Sequence, residues 1–289
     1  MTRDPAHDRA WFDRWIAFDE REIALRSQDL QQPSGNADYR PQFMFDLAMV
    51  HLRTLLRRYG RGDPVDGLVQ HLPPLIQQWE QAWELGRRTW SEAEFQARRR
   101  WSGHLDPYVR ALWLVSLALL LDLDDGHWQR LVALVDNEDE DALLDRLIAT
   151  RSPGRRIGTT LCHPRPYAGL LDAVTGAANA QPDRLARFVE GWYAGLDRPA
   201  RAGLSPAASA QRVWWHGNDD TEGAYFGYWC VEAAAVAKAF GIDDGPCIGL
   251  PHYPAALLHP AAPPAAPLEP ASVGWTSRLR QRWSAGRGG

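Results

Sequence analysis

The side chains of this 289-residue chain that could carry chemistry are nine histidines, three cysteines and a dense set of carboxylates. The histidines are His7, His51, His71, His104, His127, His163, His216, His252 and His259, and none forms a His-Glu-x-x-His pair that would turn two imidazoles toward one metal ion. Cys162 and His163 are neighbours, but adjacency alone does not make a zinc site. Asp243 and Asp244 could offer oxygen to a hard cation, yet two adjacent acids without further convergent ligands are too few to hold one. No Gly-x-Gly-x-x-Gly turn, phosphate loop or Gly-x-Ser-x-Gly elbow occurs. The residues therefore point away from catalysis, and no metal or other cofactor is expected.

Charge is the stronger signal. Between positions 122 and 145 the chain carries Asp122, Asp124, Asp125, Asp136, Glu138, Asp139, Glu140, Asp141 and Asp145 against a single base, Arg130. One reading is a solvated helix-turn-helix whose acids sit at helix N-termini, where the dipole favours them. The other is an acidic face presented to a basic partner, with opposite charge speeding association. A second group, Asp219, Asp220 and Glu222, precedes an aromatic cluster and has the same two readings, an N-cap or a contact. These acids, Asp145 excepted, are the candidate binding residues.

The elements that must position them are helical throughout. Trp11, Trp15, Ile16, Phe18 and Ile23 share one face of a first helix, and Phe43, Leu47, Val50, Leu55 and Leu56 share one of a second. Asp63 and Pro64 read as N-cap and first-turn proline of a third, which Pro73 and Pro74 should kink or divide. Further helices are expected over 107–121, 126–135, 139–149, 167–177, 183–195 and 226–240. The expected fold is all-α, about ten helices, with a small N-terminal bundle (8–151) and a larger C-terminal helical domain (152–259) joined near Ser152–Gly158. Residues 260–289 open on a Pro/Ala stretch and end on a basic tail with Trp275, Leu279 and Trp283 at helical spacing.

The stretch Tyr225–Pro254, YFGYWCVEAAAVAKAFGIDDGPCIGLPHYP, is the most distinctive of the chain. Its small and apolar residues cover most of a helix surface, so that helix is buried on several sides, and Gly241 falls where a left-handed C-cap is expected. Asp243 and Asp244 read as local caps, and Trp214, Trp215, Tyr225, Tyr228 and Trp229 as core aromatics rather than a ligand box. The order of pieces resembles the C-terminal domain of PoNi proteins, immunity proteins against PoNe-type DNase toxins of bacterial type VI secretion. The matching residues are Tyr225, Gly227, Tyr228, Trp229, Glu232, Ala233, Ala234, Ala235, Ile242, Asp243, Asp244, Tyr253 and Pro254. Arg165-Pro166-Tyr167, Gly191-Trp192-Tyr193 and Trp214-Trp215-His216 look like further landmarks. A second tyrosine often precedes the Tyr-Pro pair in that family, where this chain has His252. Tyr59-Gly60-Arg61-Gly62-Asp63 and Leu105-Asp106-Pro107-Tyr108 resemble the family's N-terminal domain, so the likeness spans residues 8–259.

The resemblance implies a binding protein, with a cognate toxin, a nuclease encoded next door, as its partner. Composition agrees with that. A net charge of −4 excludes a broadly basic nucleic-acid binder, so no direct contact with nucleic acid is expected. Cys162, Cys230 and Cys247 have no disulfide spacing and the N-terminus has no apolar core of a secretory signal, which together suggest the cytoplasm. The longest apolar run, Ala111–Leu121, falls short of the roughly 20 residues a membrane span needs. A helical scaffold or adaptor, immunity to a toxin of other chemistry, and a homodimer all stay open at this point.

Overall fold

A computed structural model describes residues 2–33, 35–196, 213, 215–217 and 223–267. Among them are ten α-helices and no strand, so the fold is all-α.

Asp8 accepts a hydrogen bond from the Trp11 amide and starts α1 (Arg9–Asp29), which packs antiparallel to α2 (Arg40–Arg61). Gly62, at φ +98°, ends α2 in the left-handed conformation that glycine adopts without steric cost. A 3-10 turn over Val65–His71 then leads into α3 (Leu72–Thr89). Pro73 and Pro74 fall in the first turn of α3, where a missing N–H costs nothing, and they divide this stretch as expected. Asp63 is not the helix cap expected of it. Its carboxylate instead takes Arg58 (3.1 Å) and Arg61 (2.6 Å), and the 3-10 turn begins without a side-chain cap.

Ser91 caps α4 (Glu92–Arg99), and the apolar α5 (Leu105–Leu120) runs through the centre of the molecule. Asp124 caps α6 (Asp125–Val135). The next helix, α7, spans only Leu144–Ala149 rather than starting at Asp139. Asp136, Asn137 and Asp139 all have positive φ (51°, 49° and 72°), a conformation that Asn and Asp tolerate and a right-handed helix does not.

The C-terminal part comprises α8 (Pro164–Thr175), α9 (Gln181–Leu196) and α10 (Val231–Phe240). Helix α10 starts five residues later than expected. Gly227 sits at φ +87°, and the Cys230 amide donates to the His252 carbonyl, so 225–230 is not helical and is tied to the turn at His252. Gly241 (φ +65°) does supply the left-handed cap. Helix α10 packs on α5, α8 and α9, and one hydrophobic core runs from Ala48 to Leu257 through both parts.

The two parts are also joined by a buried charge. Arg57 on α2 is fully out of water and donates to Asp19 Oδ2 on α1 (2.5 Å), which is itself fully buried. Its remaining N–H groups reach the carbonyls of Gly223 (2.6 Å) and Tyr225 (2.9 Å). Burial lowers the Arg57 pKa to about 10, with Asp19 opposing, so the guanidinium stays charged at neutral pH. Replacing Arg57 with Met should cost about 3–5 kcal/mol, because two carbonyls lose their donor in the interior and the buried Asp19 is left with Arg53 alone. The double variant Arg57→Met/Asp19→Leu should recover part of that loss, and urea denaturation of the two variants checks both statements.

Candidate functional site

The candidate acids of the 122–145 segment separate by depth. Asp122, Asp124 and Asp125 stand at the α5–α6 corner with side chains 84%, 62% and 88% exposed. Asp124 takes the His127 amide (3.1 Å) and the His127 ring (2.6 Å), and these contacts hold its pKa below the usual carboxylate value. Asp122 meets Lys238 at 2.7 Å, and Asp125 meets Arg151 at 2.6 Å. On the opposite side of α6, Asp136 meets Arg99 at 2.8 Å. Glu138 accepts the Arg156 amide at 2.6 Å, which lowers its pKa. Asp139 is exposed and Glu140 half-buried.

Asp141 is a correction: it is fully buried and cannot touch a partner from the surface. Its carboxylate takes the amides of Leu143 (3.0 Å), Leu144 (2.8 Å) and Cys162 (2.8 Å) and the Tyr108 hydroxyl (3.1 Å). Asp145, also buried, binds Arg155 (2.7 Å) and the amides of Gly158 (3.0 Å) and Asp141 (3.2 Å). These two acids tie together the loop before α7, the stretch that follows Asp136, Glu138, Asp139 and Glu140.

Nor is Arg130 the segment's counter-charge. It leaves the segment for Glu80 on α3, while Arg99, Arg151, Arg155, Arg156 and Lys238 arrive from outside. They lie outside positions 122–145, which is why a charge count within that window missed them. Asp219, Asp220, Glu222 and Trp214 lie outside the described residues.

The aromatic motif is internal. Trp215, Tyr225, Tyr228 and Trp229 are all buried, as expected of core aromatics. The Tyr225 hydroxyl donates to Asp4 (2.6 Å) on the N-terminal arm, and the Tyr228 hydroxyl to the Trp215 carbonyl (2.8 Å). The Trp229 ring meets Tyr59 edge-on at 5.0 Å. Gly227 has no room for a side chain, since a Cβ there would lie 2.5 Å from Trp229 Nε1. Asp243 caps the Gly245 amide (3.0 Å), which is the local role expected of both aspartates. Asp244 does something else: it accepts the Tyr253 hydroxyl (2.6 Å) and meets the His259 ring (2.8 Å), clamping the turn after Pro254 to the helix end.

Glu232 is the residue that a reading by position undervalues. It is fully buried in α10, where Oε1 receives Trp192 Nε1 (2.7 Å) from α9 and the Tyr167 hydroxyl (3.1 Å) from α8. Desolvation raises its pKa to about 7 against these donors. The all-round apolar surface of its helix was the available signal, because a charge on such a helix has no route to water.

Among the described residues no group of three or more His, Cys, Asp or Glu side chains is placed to hold a metal ion, and no helix is long and apolar enough to cross a membrane. The geometry offers protein contacts at the surface and a hydrogen-bonded interior beneath them.

The raised Glu232 pKa has a definite sign. An acid with a higher pKa in the folded state than in the unfolded contributes stability that is full below the unfolded value, near 4.5, and is lost as pH rises through about 7. Wild-type stability should therefore fall between pH 5 and 8 relative to Glu232→Gln, and thermal melts of the two proteins across that range check it. Parallel curves would show that Glu232 is ionised throughout.

Protein PA2201 from Pseudomonas aeruginosa, known from a crystal structure, is similar to this chain with a TM-score of 0.63 and 24% identity, each chain covered over 89% of its length. At that identity the likeness is one of fold. No curated protein sequence matches the chain. Two family descriptions do match it, PoNe immunity protein (PoNi), N-terminal, over residues 3–133, and PoNe immunity proteins (PoNi), C-terminal, over residues 139–257. With both halves matched, the chain belongs to the PoNi immunity protein family.

Proposed function

We propose that this protein binds one cognate PoNe toxin, a DNase delivered by type VI secretion, and inhibits it by covering its DNA-binding cleft. Family membership across both halves is the observation that carries the reading. On this reading the protein acts in the cytoplasm of the cell that makes the toxin. It acts without catalysis and without a cofactor, and the neighbouring gene encodes its partner.

The surface chemistry supports occlusion by charge. A nuclease must gather phosphate with Arg and Lys, so a protein that fills its cleft gains by presenting carboxylates in place of phosphates. Asp122, Asp124 and Asp125 are the most exposed of the candidates, and their mates Lys238, His127 and Arg151 are surface partners. Exposed ion pairs are weak, so basic groups of a toxin can exchange with those mates at little cost. The positive φ of Asp122 (50°) turns the chain at this corner, two residues before the Asp124 cap of α6. A standard-size interface of about 1,600 Å² would extend from this corner onto neighbouring helices, with a few buried anchors supplying specificity.

Co-expression with the product of the adjacent gene tests the reading as a whole: the two proteins should co-purify, DNA degradation by the partner should stop, and growth should be restored. A partner that leaves DNA intact would move the reading to immunity against another chemistry. The contact surface has its own test. Reversing Asp122, Asp124 and Asp125 to Lys should slow association at low salt by at least about tenfold, with a native circular dichroism spectrum. An unchanged on-rate would take this corner out of the interface.

A further inference from the structure

Just before α10 an aromatic trough crosses the surface, and Trp229 divides it into two compartments. One, of about 190 Å³, lies against Tyr59, Trp229 and Tyr253. The other, of about 280 Å³, lies against Tyr225, Tyr228, Trp229 and His252. The other walls are the N-terminal arm, residues 4–6 against the larger compartment and Thr2 and Arg3 against the smaller, together with Gly62 and residues 255–256 against the smaller, and the chain's own segment 260–267. Pro263 and Pro264 border the first compartment, Pro267 the second and Ala265 both.

Within residues 261–267 the two half-buried positions stand three apart. Ala262 and Ala265 turn toward the core, while Ala261, Pro263, Pro264, Ala266 and Pro267 face solvent. Three residues per turn is the repeat of polyproline II. The segment is fastened by two backbone bonds, from the Ala262 amide to the His259 carbonyl (2.8 Å) and from the Ala266 amide to the Gly249 carbonyl (3.2 Å).

Trp229 borders both compartments and is 3% exposed, and its indole N–H is buried beside Gly227 with no hydrogen-bond partner among the described residues. A polyproline strand has no internal hydrogen bonds, so it presents free carbonyl acceptors beside stiff apolar faces, and aromatic-lined grooves bind such strands. We propose that the trough across Trp229 is a recognition site for extended, proline-rich peptide, and that residues 261–267 are its resident occupant, which a second such strand must displace. This inference does not depend on the toxin reading.

The test is titration of the synthetic peptide AAPPAAP, the sequence of residues 261–267, into the full chain. In the wild type the resident segment competes at an effective concentration on the order of millimolar, so the peptide binds weakly. Ala265→Glu places a charge on the core-facing turn and should vacate the trough, whereas Ala261→Glu points to solvent and serves as control. The peptide should bind Ala265→Glu at least tenfold more tightly than either wild type or Ala261→Glu. Adding Trp229→Phe, which shrinks the indole shared by both compartments to a single ring and removes its N–H, should weaken that binding at least threefold. Hydrogen exchange at the Ala266 amide should quicken in Ala265→Glu alone. Equal peptide affinity in all three proteins, or no binding to a natively folded Ala265→Glu, overturns the proposal. Should that variant not fold, Pro263→Gly/Pro264→Gly, which removes the segment's stiffness, replaces it with the same two outcomes.

Discussion

A guanidinium fully removed from water needs its hydrogen bonds met by the protein, and how the two parts of this molecule meet follows from where Arg57 finds them. Asp19 neutralises it from α1, and the backbone at Gly223 and Tyr225 supplies the other acceptors. Those carbonyls are available only because 223–225 is not helical. The same segment sends the Tyr225 hydroxyl to Asp4, so the N-terminal arm, α1, α2 and the start of the aromatic motif are held by connected polar contacts. A buried ion pair has fixed hydrogen-bond directions, and a packing that broke them would leave charge unmet in the interior.

Glu232 applies the same logic to the C-terminal part. Its carboxylate gathers α8 and α9 onto α10 through one oxygen that takes both Tyr167 and Trp192. Asp141 and Asp145 do so for the loop before α7, replacing backbone partners that a chain at positive φ cannot find in a helix. The carboxylates of this protein thus divide by depth. Buried ones organise backbone and side chains, and exposed ones hold loosely paired bases at the rim. Sequence neighbours fall in both classes, since Glu140 and Asp141 are adjacent, yet only Asp141 is wholly buried.

That division explains what could be read before the structure. The helical pattern, the division of the third helix at Pro73 and Pro74, the Gly241 cap and the buried aromatics were legible, because each depends on residues within a turn or two of one another. The start of α10 was not. The amide of Cys230 bonds to His252, and the carbonyl of Tyr225 to Arg57, contacts made across 22 and 168 positions that no local periodicity records. The acidic run was misjudged for the same reason. Its bases lie outside the run, Lys238 by more than ninety positions, and the burial of Asp141 shows only in the amides it accepts. Family resemblance was visible in the motif because the motif is scaffold: Gly227, Glu232 and Asp244 are fixed by steric and hydrogen-bond demands of the interior.

A surface suited to one partner therefore has to be sought where those demands stop. At the α5–α6 corner Lys238 divides its ammonium among the Leu119 and Leu120 carbonyls and Asp122, ending α5 from a helix more than a hundred residues away. Because the carbonyls keep Lys238 in place without the carboxylate, Asp122 can turn to another cation while the end of α5 stays capped. Asp125 is likewise separable: Arg151 also lies over the Trp128 ring at 5.1 Å, a contact that persists when the carboxylate leaves. The corner thus joins a fixed backbone to carboxylates whose present partners are held by something else as well. That arrangement lets charges change hands at an interface without disturbing the core that positions them.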